Sequence, residues 1–163
     1  VFYRDQGDDY VVEQLPLTSD ISSVLSFVNN HGADGGGDFP EAVHTALAAA
    51  MTNQWDNNAI CRIMFLILDA PPHYDTQVIE SIKESIREAA EKGIKIIPIT
   101  ASGIDKETEF LMRFMAISTG GTYCFITDHS GLGNDHIEAT VGQYQIEYLN
   151  DLIIRLITEN TTY

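Results

Sequence analysis

Basic residues are scarce in this 163-residue sequence, in which 9 Lys and Arg stand against 24 Asp and Glu and give a formal net charge of -15. No Lys or Arg occurs between Arg4 and Arg62, and none occurs between Arg113 and Arg155. Because nucleic-acid binding depends on clustered basic side chains, no nucleic-acid partner is expected. The acidic excess fits a solubilising surface or loops that attract cations, and charge alone favours the first.

Long apolar runs and metal-type cysteine spacings are missing as well. No stretch approaches the roughly 20 apolar residues that a membrane-spanning helix needs, so no membrane insertion is expected. The two cysteines, Cys61 and Cys124, show no C-x-x-C spacing, and each lies in a strand-like apolar run. We therefore expect two buried free thiols that are not bonded to each other. The length predicts a single domain over residues 1–163.

Several common catalytic and nucleotide-binding motifs are absent too. The sequence has no G-x-G-x-x-G, no lysine after its glycine-rich stretch, no H-E-x-x-H and no G-x-S-x-G. These absences argue against a nucleotide-binding domain and against the hydrolase classes that carry such motifs. A metal-assisted hydrolase using Asp69, His73 and Asp128 is the alternative that stays open.

The order of the remaining patterns predicts an α/β fold. Continuous apolar runs predict strands buried on both faces at 61–68 and 94–99, and a third strand at 122–127. Periodic segments predict helices between and after them, near 76–92, 106–118 and 149–157. Short strands at 1–4 and 10–17 predict a hairpin with the one antiparallel strand, and Asp20 is expected to cap a helix at 21–29. The result is a mostly parallel, Rossmann-like sheet with strand 94–99 between the other two and helices on both faces.

A glycine-rich segment, "HGADGGGDFPEA" at 31–42, raises the question of a ligand. Asp34 and Asp38 flank three glycines, and their carboxylates would repel a phosphate at close range. Oxygen ligands of this kind suit a hard divalent cation instead. Pro40 suits the first turn of the helix that follows, so Asp38 or Phe39 could equally be a plain helix cap.

A second acidic position, Asp69, directly follows the strand at 61–68 and is held by the turn "DAPPH". Ligands of open parallel sheets bind at the carboxyl ends of the strands, so Asp38 and Asp69 are the candidate metal pair. Asp5 and Asp34 are secondary candidates. Asp69 could instead bond to nearby backbone amides, and for His73 a surface or hydrogen-bonded role is favoured over metal ligation.

The combination of these segments resembles one protein family. "GGGDFPEAVHTALAAA" followed by "IMFLILDAPPH" is similar to von Willebrand factor type A (VWA) domains of the bacterial kind. "VFYRDQGDDY" resembles the second strand and hairpin of that fold, and "TDHSGLGNDHIEATVG" with "EYLNDLIIRLI" resembles its closing strand, loop and helix. The resemblance covers essentially the whole chain and implies a three-layer α/β sandwich.

The resemblance also implies a metal-ion-dependent adhesion site (MIDAS). In the family, Mg²⁺ or Ca²⁺ at this site keeps an open position that an exposed Asp or Glu of a protein partner fills, without catalysis. Asp38 matches the second loop of the site and Asp69 the third. The first loop, Asp-x-Ser-x-Ser, has no match, because the triplet Asp128-His-Ser130 follows the last strand instead.

The missing loop implies an N-terminally truncated domain whose cation binding is weak or absent. We expect the opening strand to pair with the strand at 61–68, or a homodimer to form, because an open sheet edge is a liability. The resemblance favours an extracytoplasmic or cell-surface location, and a cytoplasmic location stays open.

Overall fold

The computed structural model describes residues 1–32, 39–101, 104–126 and 147–162 and shows an α/β protein. These residues contain a three-stranded parallel sheet, a small antiparallel strand pair and five helices. The chain divides into two compact units. The first unit comprises Val1–Asn57 and Pro71–Glu88, and the second comprises Asn58–Ala70 and Ala89–Tyr163.

The first unit opens with the predicted hairpin. Strands β1 (Phe2–Tyr3) and β2 (Val12–Glu13) pair antiparallel, with Phe2 opposite Glu13. Both strands are shorter than the predicted 1–4 and 10–17. They form a two-stranded sheet of their own. Pairing of the opening strand with the strand at 61–68, one of the two expected alternatives, is therefore wrong for the described residues, and the homodimer stays a prediction.

Helix α1 (Ile21–Asn29) begins where the sequence predicts, because the Asp20 side chain accepts hydrogen bonds from two backbone amides of its first turn. His31 follows the helix and ties it to the hairpin. Its Nδ1 lies 2.5 Å from the Phe27 carbonyl oxygen and its Nε2 lies 2.7 Å from a Glu13 carboxylate oxygen. Both ring nitrogens therefore face acceptors, and the bond to Phe27, followed by that to Glu13, raises the pKa of His31.

Helix α2 (Val43–Met51) begins later than the sequence predicts. Its N-cap is Ala42, so Pro40 lies before the first turn rather than within it. The reason is a backbone contact, because the N–H of Glu41 donates to the carbonyl oxygen of Pro71 at 2.8 Å. The buried face of α2 consists of small and aliphatic side chains: Val43, Ala46, Leu47, Ala50 and Met51.

The second unit contains the parallel sheet. Its strands are β3 (Arg62–Leu68), β4 (Ile94–Thr100) and β5 (Cys124–Phe125), in the order β3-β4-β5. The predicted central position of the strand at 94–99 is confirmed. Strand β5 is shorter than the predicted 122–127, whose last residue lies outside the described ranges.

Burial differs between the two longer strands. In β4 every residue except Lys95 is buried, as expected for a central parallel strand. In β3 only Leu66 and Leu68 are buried, and Ile67 is 55% exposed. The prediction that this strand is buried on both faces is therefore wrong. The core of the sheet is a cluster of Ile97, Ile99, Cys124 and Leu156, against which Ile63, Phe65, Ile126, Leu152 and Ile153 pack.

Three further helices complete the described structure. Helix α3 (Thr76–Glu91) ends before Gly93, which has a φ of +63°. Helix α4 (Lys106–Thr119) ends at Gly120, with a φ of 68°, and helix α5 (Leu149–Thr161) carries Leu156 into the core. Among the described helices, none combines the length and apolar character that a membrane crossing requires.

Both cysteines are free thiols, as expected, although Cys61 is only half-buried while Cys124 is buried. The sheet register explains their separation, because Cys124 pairs with Ile99, and Ile99 pairs with Ile67. Cys61 lies six residues before Ile67, which at about 3.3 Å per residue is about 20 Å along the strand. A disulfide needs Cα atoms within about 7 Å of each other.

Candidate functional site

Asp69 lies at the carboxyl end of β3, where the sequence analysis expects it. The β3–β4 ladder continues to Leu68, and the N–H of Ala101 donates to the Leu68 carbonyl oxygen at 2.8 Å. Asp69 is the next residue and is exposed. Its carboxylate is therefore accessible at the edge where ligands of parallel sheets bind.

The loop after Asp69 is tied to the segment before α2. Pro71 and Pro72 are buried, the Glu41 N–H donates to the Pro71 carbonyl oxygen, and Glu41 and Pro72 form a parallel bridge. Glu41 is three residues after Asp38, and Pro71 is two residues after Asp69. Glu41 and the two prolines of the "DAPPH" turn are thus in backbone contact.

Two of the predicted site residues, Asp34 and Asp38, lie outside the described residues. The structure nevertheless bears on one expectation for this segment. Because α2 is capped by Ala42, the helix-cap role expected for Asp38 or Phe39 is wrong. Asp128 and His129 also lie outside the described residues, so the set proposed for a hydrolase is described only in part.

His73 has the hydrogen-bonded role that the sequence analysis favours. Its Nε2 lies 2.7 Å from Oδ1 of Asp5, which is only 7% exposed. A carboxylate accepts hydrogen bonds, so Nε2 carries the proton and donates it. In the neutral ring this leaves Nδ1 as the acceptor, with its lone pair available. Asp5, a secondary candidate for metal binding, therefore orients His73.

A cavity of about 460 Å³ lies beside this pair in the first unit. Its lining residues are Gln6, His44, His73, Asp75, Gln77 and Val78. Asp75 caps α3, because its Oδ1 accepts hydrogen bonds from the backbone amides of Gln77 and Val78 at 3.0 and 3.1 Å. The cavity therefore combines two imidazole rings, a carboxylate and two side-chain amides.

His44 is half-buried, and one of its ring nitrogens is fully buried. Its Nε2 lies 3.1 Å from the Thr45 hydroxyl, and its Nδ1 is buried without a hydrogen-bond partner among the described residues. Burial lowers the pKa of His44, and this effect exceeds the opposing effect of the Asp75 and Asp5 carboxylates. His44 is therefore a neutral imidazole at pH 7, with a nitrogen that no described residue satisfies.

His44 and Asp75 carry no sequence motif that marks them as functional residues. His44 stands in the apolar helix "VHTALAAAM", where a single histidine is typical of a core position, and Asp75 matches an ordinary helix cap. One signal was present, because His44 is the only titratable side chain in α2. Its placement beside His73 depends on the fold.

A preformed metal centre is not present in the described part of the chain. Residues 1–32, 39–101, 104–126 and 147–162 contain no group of three or more His, Cys, Asp or Glu side chains arranged to hold a metal ion. The pair expected from sequence, Asp38 and Asp69, includes a residue outside these ranges. It therefore stays a prediction.

Comparison with known proteins gives one partial similarity. No protein-family model matches the chain. Over 86 residues, 53% of this chain, the sequence is 31% identical to a protein of Acanthamoeba polyphaga mimivirus named as an ariadne-like RING finger protein. The chain spans only 8% of the length of that viral protein.

Proposed function

We propose that the chain is a protein-binding module of the VWA type, with a three-layer arrangement and a divalent-cation site near Asp38 and Asp69. The cation, Mg²⁺ or Ca²⁺, would leave a coordination position open for an Asp or Glu of a protein partner. No chemical turnover is part of this function. The central parallel strand β4 and the exposed Asp69 at the end of β3 both support the proposal.

The observation that carries the proposal is the backbone contact of Glu41 with Pro71 and Pro72. In the sequence, Glu41 is three residues from Asp38 and Pro71 is two residues from Asp69. The contact supports the proposal through these neighbours in the sequence. Two carboxylates alone hold Mg²⁺ or Ca²⁺ weakly, because these ions need about six oxygen ligands.

The similarity to the viral protein adds no zinc site to this proposal. Structural zinc sites such as RING domains use sets of Cys and His ligands. The present chain has two cysteines, and the register puts them about 20 Å apart along the sheet.

Calorimetric titration with Mg²⁺ and Ca²⁺ tests the cation site. We expect the unmodified chain to bind with a dissociation constant of about 1 mM or weaker, the range of the weakest protein calcium sites. Asp38→Ala and Asp69→Ala should each abolish the signal. Asp9→Ala is the matched control, because the Asp9 side chain is 95% exposed and far along the chain from both residues. Equal binding by all variants would refute the proposed role of Asp38 and Asp69.

The second proposal is the metal-assisted hydrolase, and the Asp5–His73 hydrogen bond favours it. A buried carboxylate that orients a histidine is a recurrent part of general-base catalysis. Asp69 and Asp128 would then contribute carboxylates to the metal. A panel of esterase and phosphatase substrates, measured with and without a chelator, tests this reading. Turnover that is lost on chelation and in His73→Ala would support it, and absence of turnover on every substrate would remove it.

A further inference from the structure

We propose that His31 is a pH-sensitive latch between the hairpin β1–β2 and helix α1. In the latched state both ring nitrogens of His31 carry protons, and one is donated to the helix and the other to the hairpin. Loss of one proton as pH rises breaks one of these two bonds and loosens the hairpin. The latch lies wholly within the first unit and involves no metal ion, so it stands or fails independently of the proposed function.

Both ring nitrogens of His31 face hydrogen-bond acceptors. Nδ1 lies 2.5 Å from the carbonyl oxygen of Phe27, and Nε2 lies 2.7 Å from Oε2 of Glu13. A neutral imidazole has one N–H and satisfies only one of these oxygens, whereas the doubly protonated ring donates to both. The neutral ring would set a nitrogen lone pair against an oxygen lone pair. Because Phe27 belongs to α1 and Glu13 to β2, only the charged ring bonds to helix and hairpin together.

The aromatic ring and the helix end next to His31 also favour its positive charge. The ring of Phe2 stacks parallel on the imidazole, with the ring centroids 4.3 Å apart. The face of an aromatic ring attracts a cation within about 6 Å of its centroid. His31 also lies just past the C-terminus of α1, where the helix dipole favours a cation. The last turn of α1 contains no basic residue, so the charged His31 supplies the cation at this helix end.

The titratable groups that face His31 come from the hairpin segment: the amino group of Val1, the phenol of Tyr10 and the carboxylate of Glu13. Helix α1 contributes none, because its sequence ISSVLSFVN has no titratable side chain. Glu13 favours the charged ring, and the amino group of Val1 opposes it. Burial lowers the pKa of that amino group, so its opposition weakens as pH rises. Arg4 adds a permanent cation to this region, where it lies over the ring of Tyr10 and donates to the Gly32 carbonyl oxygen at 3.4 Å.

The direction of the pKa shift fixes the direction of the latch. The bond to the Phe27 carbonyl oxygen, followed by that to Glu13, holds the pKa of His31 above its ordinary value of about 6.5. The latch is therefore fully closed below about pH 6.5 and opens as pH rises through the raised value. Each unit by which the pKa is raised changes the ratio of open to closed hairpin about tenfold. The hairpin depends on such a contact, because its strands of two residues each are only marginally stable alone.

NMR of the unmodified full chain tests the latch without relying on the folding of variants. The imidazole chemical shifts of His31 give its pKa in the folded chain. Amide hydrogen exchange gives the protection of the hairpin, for example at the Arg4 N–H, which donates to the Val11 carbonyl oxygen. Relative to intrinsic exchange rates, this protection should fall from about pH 5.5 to 8.5, by about tenfold for each unit by which the measured pKa exceeds 6.5. A pKa of 6.5 or lower, or hairpin protection that stays constant, would overturn the proposal.

Variants of the hairpin separate the latch from general effects of pH. Glu13→Gln keeps an acceptor oxygen but removes the carboxylate charge, so it should lower the pKa of His31 and reduce the fall in protection. Asp9→Asn is the matched control, because the Asp9 carboxylate of the same hairpin is 95% exposed and pairs with Arg4 instead. It should leave both quantities unchanged. His31→Gln should make hairpin protection independent of pH. Retained pH dependence in His31→Gln, or equal effects of Glu13→Gln and Asp9→Asn, would overturn the proposal.

Discussion

Replacing Gly121 by alanine should destabilise the second unit severely, for a reason that the structure makes quantitative. A Cβ at Gly121 would lie 1.9 Å from the carbonyl oxygen and 2.8 Å from the carbonyl carbon of Ile96, in the buried strand β4. Ordinary contacts begin near 3.4 Å, so the two backbones would have to separate by about 1.5 Å. Overpacking that shifts backbone costs about 1 to 3 kcal/mol and occasionally more. We expect the free energy of unfolding to fall by about 3 kcal/mol or more.

Gly120 provides the matched control, because the two glycines are adjacent and terminate the same helix. Gly120 has a φ of 68°, and an added Cβ would meet nothing within 4 Å. Gly120→Ala should therefore lower the free energy of unfolding only by the strain of placing alanine in the left-handed conformation, about 1 to 2 kcal/mol. Urea unfolding followed by circular dichroism measures both free energies. A loss in Gly121→Ala equal to or smaller than that in Gly120→Ala would refute the close approach of Gly121 to the Ile96 backbone.

Three further predictions address other contacts. The pKa of His31 is raised, so His31 stabilises the fold fully below its ordinary pKa of about 6.5, and this stabilisation is lost as pH rises through the raised pKa. In urea unfolding, the difference in free energy of unfolding between the unmodified chain and His31→Gln should therefore shrink from pH 5.5 to 8.5. A constant or growing difference would contradict this. Asp105→Ala should cost about 1 kcal/mol, because Asp105 caps α4 through a 2.7 Å bond to a backbone amide, and no change in the unfolding midpoint would contradict the cap. Thiol titration of denatured, unreduced monomer should find both Cys61 and Cys124, and a count of zero would show a disulfide.

Much of the parallel sheet could be predicted from sequence, because its signals are local and strong. The apolar run of β4 and the glycine that ends α3 each depend on neighbouring residues alone, and the structure confirms them. The start of α2 could not be predicted in this way. It depends on the hydrogen bond from Glu41 to Pro71, thirty residues further along the chain, which holds the preceding segment out of the helix.

The candidate site likewise combines residues that local sequence predicts with residues that only distant contacts bring in. The candidate role of Asp69 follows from its position after an apolar strand. The sequence also favours a hydrogen-bonded role for His73 over metal ligation, but it does not identify the hydrogen-bond partner. That partner, Asp5, is 68 residues away, and His44 joins the same cavity from a helix with core-like composition. Such contacts between distant segments carry no periodic signal, so only the folded chain reveals them.

The central claim, a divalent-cation site formed by Asp38 and Asp69, is tested most directly by mapping amide chemical shifts during a Mg²⁺ titration of the full chain. We expect saturable shifts confined to the glycine-rich segment around Asp38 and the turn that follows Asp69, and their disappearance in Asp69→Ala but not in Asp9→Ala. Mg²⁺ shifts that are spread over the acidic surface and do not saturate, or that persist in Asp69→Ala, would contradict it.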